Sequence, residues 1–522
     1  MHTCYYKYLP VEGAEIFTFV GLPEKGGKFP TAIFRSPYED FAEEMDEAEL
    51  CEKYLADYKE WLDAGYAVVF QHCRGRGKST GDCVPYIYER EDGLALRAWI
   101  RGESFYSGQL FLVGTSYTSS VHYVTAPYED DICGGVFNVQ DTERYNCNYR
   151  NGIYKMGLHG KWYVSMYKKK SIPKKNFVIE SYNMLPLSDF SKTVFGERVA
   201  DFDEILKHPK RDDPFWQTRF GGGEAHNALC TAKFPMLIVT GLYDLYTGGI
   251  FDMWHSLGEE SRKRGAFVVH AYDHGGGQGH SPIHFDGGTV EEHFGNLSLR
   301  WCEYVRGKAE APVKLGEVTY YRLFDGWHTD SFAGGKEELA FTLGDGERTY
   351  IYNPYAPAKF EGGLSTNFGG ARYQNPPDTR YDIITVYTDK FNTDTDIDGK
   401  MTAKLRVKSS ALDTCFYMRV SLETADGDYG LRDDINQISN FAPDYKPGEW
   451  VDMDFTFDEH SFVVKKGGRL RIDITSSAFP YYVPHTNQRG LFSEQRTAVI
   501  AENTVDLSAS VFRVPSTPRE EK

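Results

Sequence analysis

The segment from Gln109 to Ser120 constrains the fold more than any other part of the chain. A short apolar run, Leu110 to Val113, ends at Gly114; Ser116 follows two residues later, and small residues continue beyond it. This pattern is typical of a sharp strand-to-helix turn that holds a serine at the top of a sheet. An ordinary turn after a buried strand would use the same residues, so the segment alone leaves both interpretations open.

Short apolar runs alternate with segments of helical periodicity through the first half of the chain. Continuous apolar runs are typical of parallel strands that helices cover on both faces. The runs are Thr31 to Arg35, Ala67 to Gln71, Leu110 to Gly114, Gly135 to Asn138, Met236 to Thr240 and Phe267 to His270. A helical apolar stripe from Leu50 to Leu62 lies between the first two, and Gly65 follows it as a C-terminal cap. We therefore predict an α/β domain.

The alternation stops at about Asn148 and resumes near Ala232. We expect the α/β core to comprise residues 1–147 and 232–311, with residues 148–231 inserted as a helical cap. The lysines of that cap favour a solvated loop over an anion site. They are Lys168, Lys169, Lys170, Lys174 and Lys175.

A linker from Arg306 to Pro312 ends the helical pattern. Beyond it, period-two alternation from Tyr417 to Glu423 and from Leu470 to Thr475 is typical of strands. We predict an antiparallel β-sandwich of the jelly-roll type over residues 313–515.

Charge and cysteine usage exclude several classes of protein. The formal net charge is -17, with 58 basic and 75 acidic residues, which argues against a nucleic-acid partner. The nine cysteines form neither an even framework nor a Cys-x-x-Cys pair, as expected of reduced thiols. No apolar run approaches the roughly 20 residues needed to span a bilayer, and the N-terminus lacks the apolar core of a signal peptide. We expect a cytoplasmic protein that does not engage membranes.

A serine hydroxyl becomes a nucleophile only when a base takes its proton and a third group orients that base. Asp244 follows the apolar run that begins at Met236, and His274 follows the next run, in a glycine-rich loop. Ser116, Asp244 and His274 thus follow three strands in the order expected of a hydrolase triad. Alternatively, Asp244 caps a turn and His274 is a polar loop residue.

Three other histidines are rivals for the role of the base: His270, His280 and His284. A metal site built from His274, His280 and His284 is disfavoured, because no carboxylate or thiolate spacing of zinc type accompanies them. No metal or organic cofactor is expected.

Five motifs occur in order and together resemble one family of hydrolases. They are Ala32 to Tyr38 (AIFRSPY), Cys73 to Gly81 (CRGRGKSTG), Gly114 to Tyr117 (GTSY), Gly241 to Asp244 (GLYD) and Ser476 to Pro480 (SSAFP). The chain resembles the family that includes cocaine esterase, glutaryl acylase, α-amino acid ester hydrolase and X-prolyl dipeptidyl-peptidase. The resemblance implies an α/β-hydrolase domain, a helical cap and a C-terminal jelly roll. It also implies that the Tyr38 hydroxyl and the backbone N–H of Tyr117 stabilise the oxyanion.

The sequence departs from that family at two places. Ser119 stands where the family has a glycine that lets the turn pack closely. Tyr246 and Thr247 stand where amino acid ester hydrolases carry an acidic pair for the substrate ammonium, which argues against an α-amino acyl substrate. Tyr246 and Trp162 are instead expected to line an apolar slot.

The function predicted from these residues is hydrolysis of an ester or amide through an acyl-enzyme. The expected substrate is a small-molecule ester or amide or a short peptide, and a homo-oligomer is left open. The alternative is a non-catalytic glycan- or ligand-binding protein with a decayed hydrolase domain, supported only by Ser119.

Overall fold

A computed structural model describes residues 2–166, 179–218, 222–223, 229–277, 281, 283–364, 369–377 and 379–520. The lysines predicted to form a loop in the cap and the rival histidine His280 lie outside the described residues.

The first 330 residues contain the strands that carry the predicted site. They are β1 (Thr3–Val11), β2 (Ala14–Leu22), β3 (Phe29–Ser36), β4 (Ala67–His72), β5 (Tyr106–Thr115), β6 (Ile132–Asn138), β7 (Tyr149–Arg150), β8 (Ile153–Tyr154), β9 (Met236–Tyr243), β10 (Ala266–Asp273), β11 (Val318–Arg322) and β12 (Gly326–Asp330). Within the described residues, all but the β7–β8 hairpin join one sheet in the order β1-β2-β4-β3-β5-β6-β9-β10-β11-β12.

The central strands of this sheet, from β4 through β11, pair in parallel. All six predicted apolar runs fall within β3, β4, β5, β6, β9 and β10. Strands β4, β9 and β10 are buried along their whole length, as expected of strands covered on both faces. The predicted α/β class is therefore confirmed.

Helices cover this sheet and build the cap. They are α1 (Glu47–Asp57), α2 (Lys59–Asp63), α3 (Glu89–Gly102), α4 (Tyr117–Tyr123), α5 (Arg144–Asn148), α6 (Lys161–Met166), α7 (Phe190–Phe195), α8 (Ala200–Ile205), α9 (Thr247–Ser256), α10 (Glu259–Arg264), α11 (Val290–Phe294) and α12 (Leu297–Val305). The predicted stripe from Leu50 to Leu62 is two helices, broken at Tyr58, and Gly65 ends them with φ +85°. None of the described helices is both long and apolar enough to cross a membrane.

The cap consists of short helices and one small hairpin. The β7–β8 hairpin leads into a π-helix, Met156–Gly160, and then directly into α6. Buried aromatic side chains hold these pieces together, with ring centroids of Tyr163 and Phe202 5.3 Å apart. The same apolar cluster includes Tyr417 and Ile435 of the C-terminal region, so the cap packs against that region as well.

Antiparallel strands form the C-terminal region. They are β13 (Glu337–Thr342), β14 (Glu347–Tyr352), β15 (Ile384–Tyr387), β16 (Thr395–Gly399), β17 (Thr402–Ser409), β18 (Cys415–Thr424), β19 (Gly427–Gln437), β20 (Val451–Thr456), β21 (His460–Val464), β22 (Leu470–Thr475) and β23 (Ala501–Pro518). One sheet is organised around β23, which pairs with β13, β14, β16 and β17; the other has the order β15-β22-β18-β19. Both sheets contribute to one apolar core. The predicted antiparallel β domain is confirmed.

Two features of this region were not predicted from the sequence. β11 and β12, at the start of the range 313–515, extend the hydrolase sheet, because β11 pairs in parallel with β10. Strand β18, which contains the alternating segment Tyr417 to Glu423, is buried along most of its length. Its charged residue Arg419 is buried beside Asp433 at 2.7 Å, a pairing that compensates both charges.

Arg150 of the cap hairpin joins the cap to the C-terminal region. Its guanidinium donates to Asp434 at 2.7 Å, to Asp458 at 2.7 Å and to the Thr456 carbonyl at 2.6 Å. Asp434 is only 1% exposed, so its carboxylate depends on this partner.

We predict that Arg150→Met lowers the free energy of unfolding by about 3 kcal/mol, because it leaves the buried Asp434 carboxylate without its cation. Arg469→Met is the matched control. Arg469 also holds a carboxylate at 2.7 Å, that of Glu423, but both side chains are about one third exposed, and such pairs contribute less than about 1 kcal/mol. Calorimetric melting of both variants measures the difference, and equal losses would contradict the prediction.

Candidate active site

Ser116 lies in a strained turn between β5 and α4. Its φ of +58° is unusual for a residue with a side chain, and its backbone N–H is held by the Asn138 carbonyl at 2.8 Å. Gly114 makes the turn possible, since a Cβ at that position would lie 2.1 Å from the Thr118 carbonyl oxygen. This geometry lifts the serine hydroxyl clear of the sheet, as the motif predicts.

Ser119 fits the turn despite replacing the family glycine. The side chain is fully buried, and its hydroxyl donates to the Asn138 carbonyl at 3.1 Å and accepts from the Asn138 N–H at 3.1 Å. The hydroxyl therefore satisfies backbone groups at the end of β6 and does not disturb the packing. Ser119 was the only observation that favoured a decayed hydrolase domain, and its fit in the turn removes that support.

His274 joins Ser116 to Asp244. Its Nε2 lies 2.8 Å from Ser116 Oγ, and its Nδ1 lies 3.0 Å from Asp244 Oδ1. Asp244 has no exposed surface, and its carboxylate also accepts from the Tyr246 N–H at 3.1 Å and from the Thr240 hydroxyl at 3.1 Å. Because a buried carboxylate needs such donors, these bonds fix its position and with it the ring of His274.

Among the described histidines, His274 is hydrogen-bonded to Ser116, whereas neither His270 nor His284 is. His270 is buried on β10, where desolvation lowers its pKa to about 4, and its Nδ1 accepts from the Tyr272 N–H at 3.2 Å. His284 lies near Asp286, with its Nε2 3.2 Å from the carboxylate. The described part of the chain contains no cluster of histidine, cysteine or acidic side chains suited to a metal ion.

Tyr38 lies above the serine, between the hydrolase sheet and the cap. The indole N–H of Trp162 donates to its hydroxyl at 3.2 Å, and the hydroxyl also lies within hydrogen-bonding reach of the Ser116 side chain and the Tyr117 backbone N–H. Although the residue is 39% exposed, desolvation raises the pKa of its hydroxyl, which favours the protonated, donating form.

A buried ionic network supports Tyr117. Its hydroxyl donates to Glu89 at 2.7 Å, and Glu89 lies 3.3 Å from the buried guanidinium of Arg35. Desolvation raises the pKa of Glu89, although Arg35 and the Tyr117 hydroxyl act in the opposite direction. The network anchors the first residue of α4, whose backbone N–H lies beside the serine.

Arg76 connects the segment that carries Tyr38 to the cap. The guanidinium is 4% exposed and donates to the Pro37 carbonyl at 2.5 Å and to the Met166 carbonyl, at the end of α6, at 2.9 Å. It also pairs with Asp40. One buried side chain of the Cys73 to Gly81 motif therefore holds both segments that position Tyr38 and Trp162.

A small cavity opens beside the serine, and we call it the catalytic pocket. Six of its lining residues are predicted site residues, including the slot residues Tyr246 and Trp162. Within the described residues, the lining is Tyr38, Tyr86, Ser116, Tyr117, Gln140, Leu158, Trp162, Leu245, Tyr246 and His274. Of those not named, Leu245 follows the predicted aspartate directly, whereas Tyr86, Gln140 and Leu158 carry no sequence signal.

Comparison with known proteins places this arrangement in a family. A family model described as X-Pro dipeptidyl-peptidase (S15 family) matches residues 12–276, which include Ser116, Asp244 and His274. The chain belongs to the S15 family of serine hydrolases. A second model, the X-Pro dipeptidyl-peptidase C-terminal non-catalytic domain, matches residues 314–509. The predicted family resemblance is confirmed.

Individual relatives of this S15 hydrolase are distant but match along nearly the whole chain. Cocaine esterase of Rhodococcus sp. (strain MB1 Bresler) is 22% identical, covering 93% of this chain and 92% of the esterase. The structure of an aminopeptidase from a marine sediment Thaumarchaeota archaeon superimposes with a TM-score of 0.82 at 16% identity over 99% of this chain and 96% of that one. An α-amino acid ester hydrolase superimposes with a TM-score of 0.80 at 16% identity, covering 99% and 97% of the two chains. These structural likenesses show a shared fold.

We predict that Gly114→Ala slows labelling of this S15 hydrolase by a fluorophosphonate by about 10²-fold or more, because the added methyl displaces the turn and shifts the serine. Gly102→Ala is the control, since a Cβ at that position, at the end of α3, meets open space. Labelling rates of purified proteins provide the measurement. Wild-type rates in both variants would show that the turn does not need glycine.

Proposed function

We propose that this S15 hydrolase cleaves esters or amides through an acyl-enzyme formed on Ser116. Ser116 Oγ attacks the substrate carbonyl carbon while His274 Nε2 takes its proton, and Asp244 holds the imidazole in the required tautomer. The protonated imidazole then gives its proton to the leaving group. A water molecule repeats the sequence on the acyl-enzyme and releases the acid.

The observation that carries this proposal is the unbroken chain of contacts from Asp244 Oδ1 to Ser116 Oγ, at 3.0 and 2.8 Å. Both lie within hydrogen-bond reach, so His274 can take the proton of Ser116 while Asp244 orients the imidazole ring. The buried carboxylate cannot swing away without losing its bonds to the Tyr246 N–H and the Thr240 hydroxyl.

The proposed oxyanion donors are the Tyr38 hydroxyl and the Tyr117 backbone N–H. Both lie beside Ser116 before substrate binds, so little reorganisation is required when negative charge develops on the carbonyl oxygen. The Trp162 indole donates to the Tyr38 oxygen at 3.2 Å and thereby orients its proton away from the cap, toward the site of the oxyanion.

The lining of the catalytic pocket favours an uncharged acyl group. Aromatic and aliphatic side chains dominate it, and none of its described lining residues is a carboxylate that could hold an ammonium next to the scissile bond. This supports small apolar esters and amides over α-amino acyl substrates, as the name of the relative cocaine esterase also suggests. The proposed substrates also include short peptides.

We further propose that the protein acts in the cytoplasm.

A fluorophosphonate tests the nucleophile directly. We expect wild-type protein to be labelled covalently and Ser116→Ala to be unlabelled. Ser256→Ala is the control, because Ser256 is exposed and its hydroxyl bonds only its own helix. Persistent labelling of folded Ser116→Ala would refute the assignment. Rates on p-nitrophenyl esters, compared with Ala-Pro and Gly-Pro anilides, then separate esterase from dipeptidyl-peptidase activity.

Replacing Tyr38 with Phe is expected to lower kcat by roughly 10²-fold or more, since one of two oxyanion donors is lost. KM should change far less, because the ring remains in the pocket. Steady-state kinetics on the best p-nitrophenyl ester measure both constants. An unchanged kcat would remove Tyr38 from the mechanism.

A further inference from the structure

The catalytic pocket contains little free space. Its cavity volume is about 40 Å³. A buried water molecule needs roughly 10–15 Å³ by this measure, so the pocket has room for about three waters. An acetyl group has three heavy atoms and a propionyl group has four. The space beside Ser116 therefore matches a short acyl group, and a six-carbon chain exceeds it.

Tyr86 lies between this pocket and a second small cavity. Together with Gln140 it lines both of them. The second cavity has a volume of about 30 Å³, which is room for about two waters. Tyr86 has the larger of the two shared side chains. The position of its ring therefore determines how far an acyl chain can extend in that direction.

The ring of Tyr86 is held by three neighbours. Its centroid lies 4.6 Å from the ring centroid of Tyr117 and 6.0 Å from that of Trp162. The guanidinium carbon of Arg144 lies 4.6 Å from the same centroid, and such a cation–π contact is favourable. These contacts oppose rotation of the ring out of the pocket.

The backbone of Tyr86 is fixed as well. Its φ of +70° is unusual for a residue with a side chain, and its N–H donates to the Tyr117 hydroxyl at 2.7 Å. That hydroxyl in turn donates to the buried carboxylate of Glu89 at 2.7 Å. A strained conformation persists only where the surrounding structure maintains it, and such residues cluster at functional sites. Tyr86 is therefore a rigid wall of the catalytic pocket.

The other described walls do not provide space for a longer chain. Leu158, Leu245 and Tyr246 line the pocket with buried apolar side chains. Gln140 is 4% exposed, and its side-chain amide donates to the Asp141 carbonyl at 3.2 Å. In a closely packed interior, extra methylene groups force the surrounding side chains out of their preferred positions.

We propose that Tyr86 determines the acyl specificity of this hydrolase by restricting the acyl group to two or three carbons. This inference rests on the proposed function of the catalytic pocket. The substrate class it names is acetyl and propionyl esters and amides. The carbonyl carbon of such a substrate lies at Ser116 Oγ, and its methyl or ethyl group extends toward Tyr86. A longer chain meets the ring, which raises the barrier to acylation.

The dependence of rate on chain length tests this proposal by its sign. In an open apolar pocket, each additional buried methylene would raise kcat/KM by up to roughly fourfold. We expect wild-type kcat/KM instead to fall by about tenfold or more from p-nitrophenyl propionate to the hexanoate ester. Initial rates on the acetate, propionate, butyrate and hexanoate esters measure this, after correction for their alkaline hydrolysis. Rates that stay level or rise with chain length would overturn the inference.

Substitution of Tyr86 tests the residue itself. Tyr86→Gly removes the ring and suits the positive φ, so the backbone can keep its position. We expect the preference for propionate over hexanoate to fall by about tenfold or more in this variant. Tyr86→Phe keeps the ring and should keep the preference. A merely structural effect would slow both esters alike, so an unchanged ratio in folded Tyr86→Gly would overturn the assignment.

Tyr88→Ala is the control for loss of a tyrosine ring. Tyr88 lies two residues away, packs against the Arg74 guanidinium at 4.2 Å and lines neither cavity, so the preference should be retained. A loss of preference in Tyr88→Ala equal to that in Tyr86→Gly would contradict a specific role for Tyr86.

The wild-type ester series decides the question if Tyr86→Gly does not fold. Hydrolysis of all four esters without a decline would overturn this inference alone. Fluorophosphonate labelling without hydrolysis of the acetate or propionate ester would also overturn this inference alone. Absence of both labelling and hydrolysis would overturn the proposed function too.

Discussion

The candidate active site depends on one carboxylate that has no contact with solvent. Asp244 is fully buried, and its oxygens are satisfied by the His274 ring, the Tyr246 N–H and the Thr240 hydroxyl. A buried charge is tolerated only when hydrogen-bond donors of this kind surround it. The loop that follows β9 must therefore adopt a conformation that keeps these donors around Asp244. Because β9 and β10 are adjacent and parallel, that same constraint places the imidazole over the turn that carries Ser116.

The opposite side of the catalytic pocket is assembled from segments that are distant in sequence. Tyr38 follows β3, Trp162 belongs to α6 in the cap, and Arg76 holds both through the Pro37 and Met166 carbonyls. A guanidinium can bind several acceptors at once with a fixed geometry, which lysine cannot do. The cap is therefore a structural part of the catalytic pocket as well as its cover, since it orients the hydroxyl of Tyr38.

Local sequence patterns were sufficient to locate the parts of this site that lie at strand ends. Apolar runs identified the parallel strands, and a turn or polar residue after each run identified Ser116, Asp244 and His274 as neighbours in space. Patterns failed where pairing is long-range. β11 lies beyond the linker and yet pairs with β10, and Arg419 pairs with Asp433 in the interior. The sequence around β11 does not identify β10 as its partner, and the sequence around Arg419 does not identify Asp433.

Long-range contacts also explain why the C-terminal region packs against the hydrolase sheet and the cap. Tyr243 immediately precedes Asp244, is buried, and donates its hydroxyl to the Gly430 carbonyl of β19 at 2.9 Å. Arg150 makes a second connection from the cap to Asp434 on the same strand. The two contacts hold the end of β9 and the start of the cap against one sheet. The sheet that contains β19 thus limits the movement of Asp244 relative to the cap without contributing a side chain to the catalytic pocket.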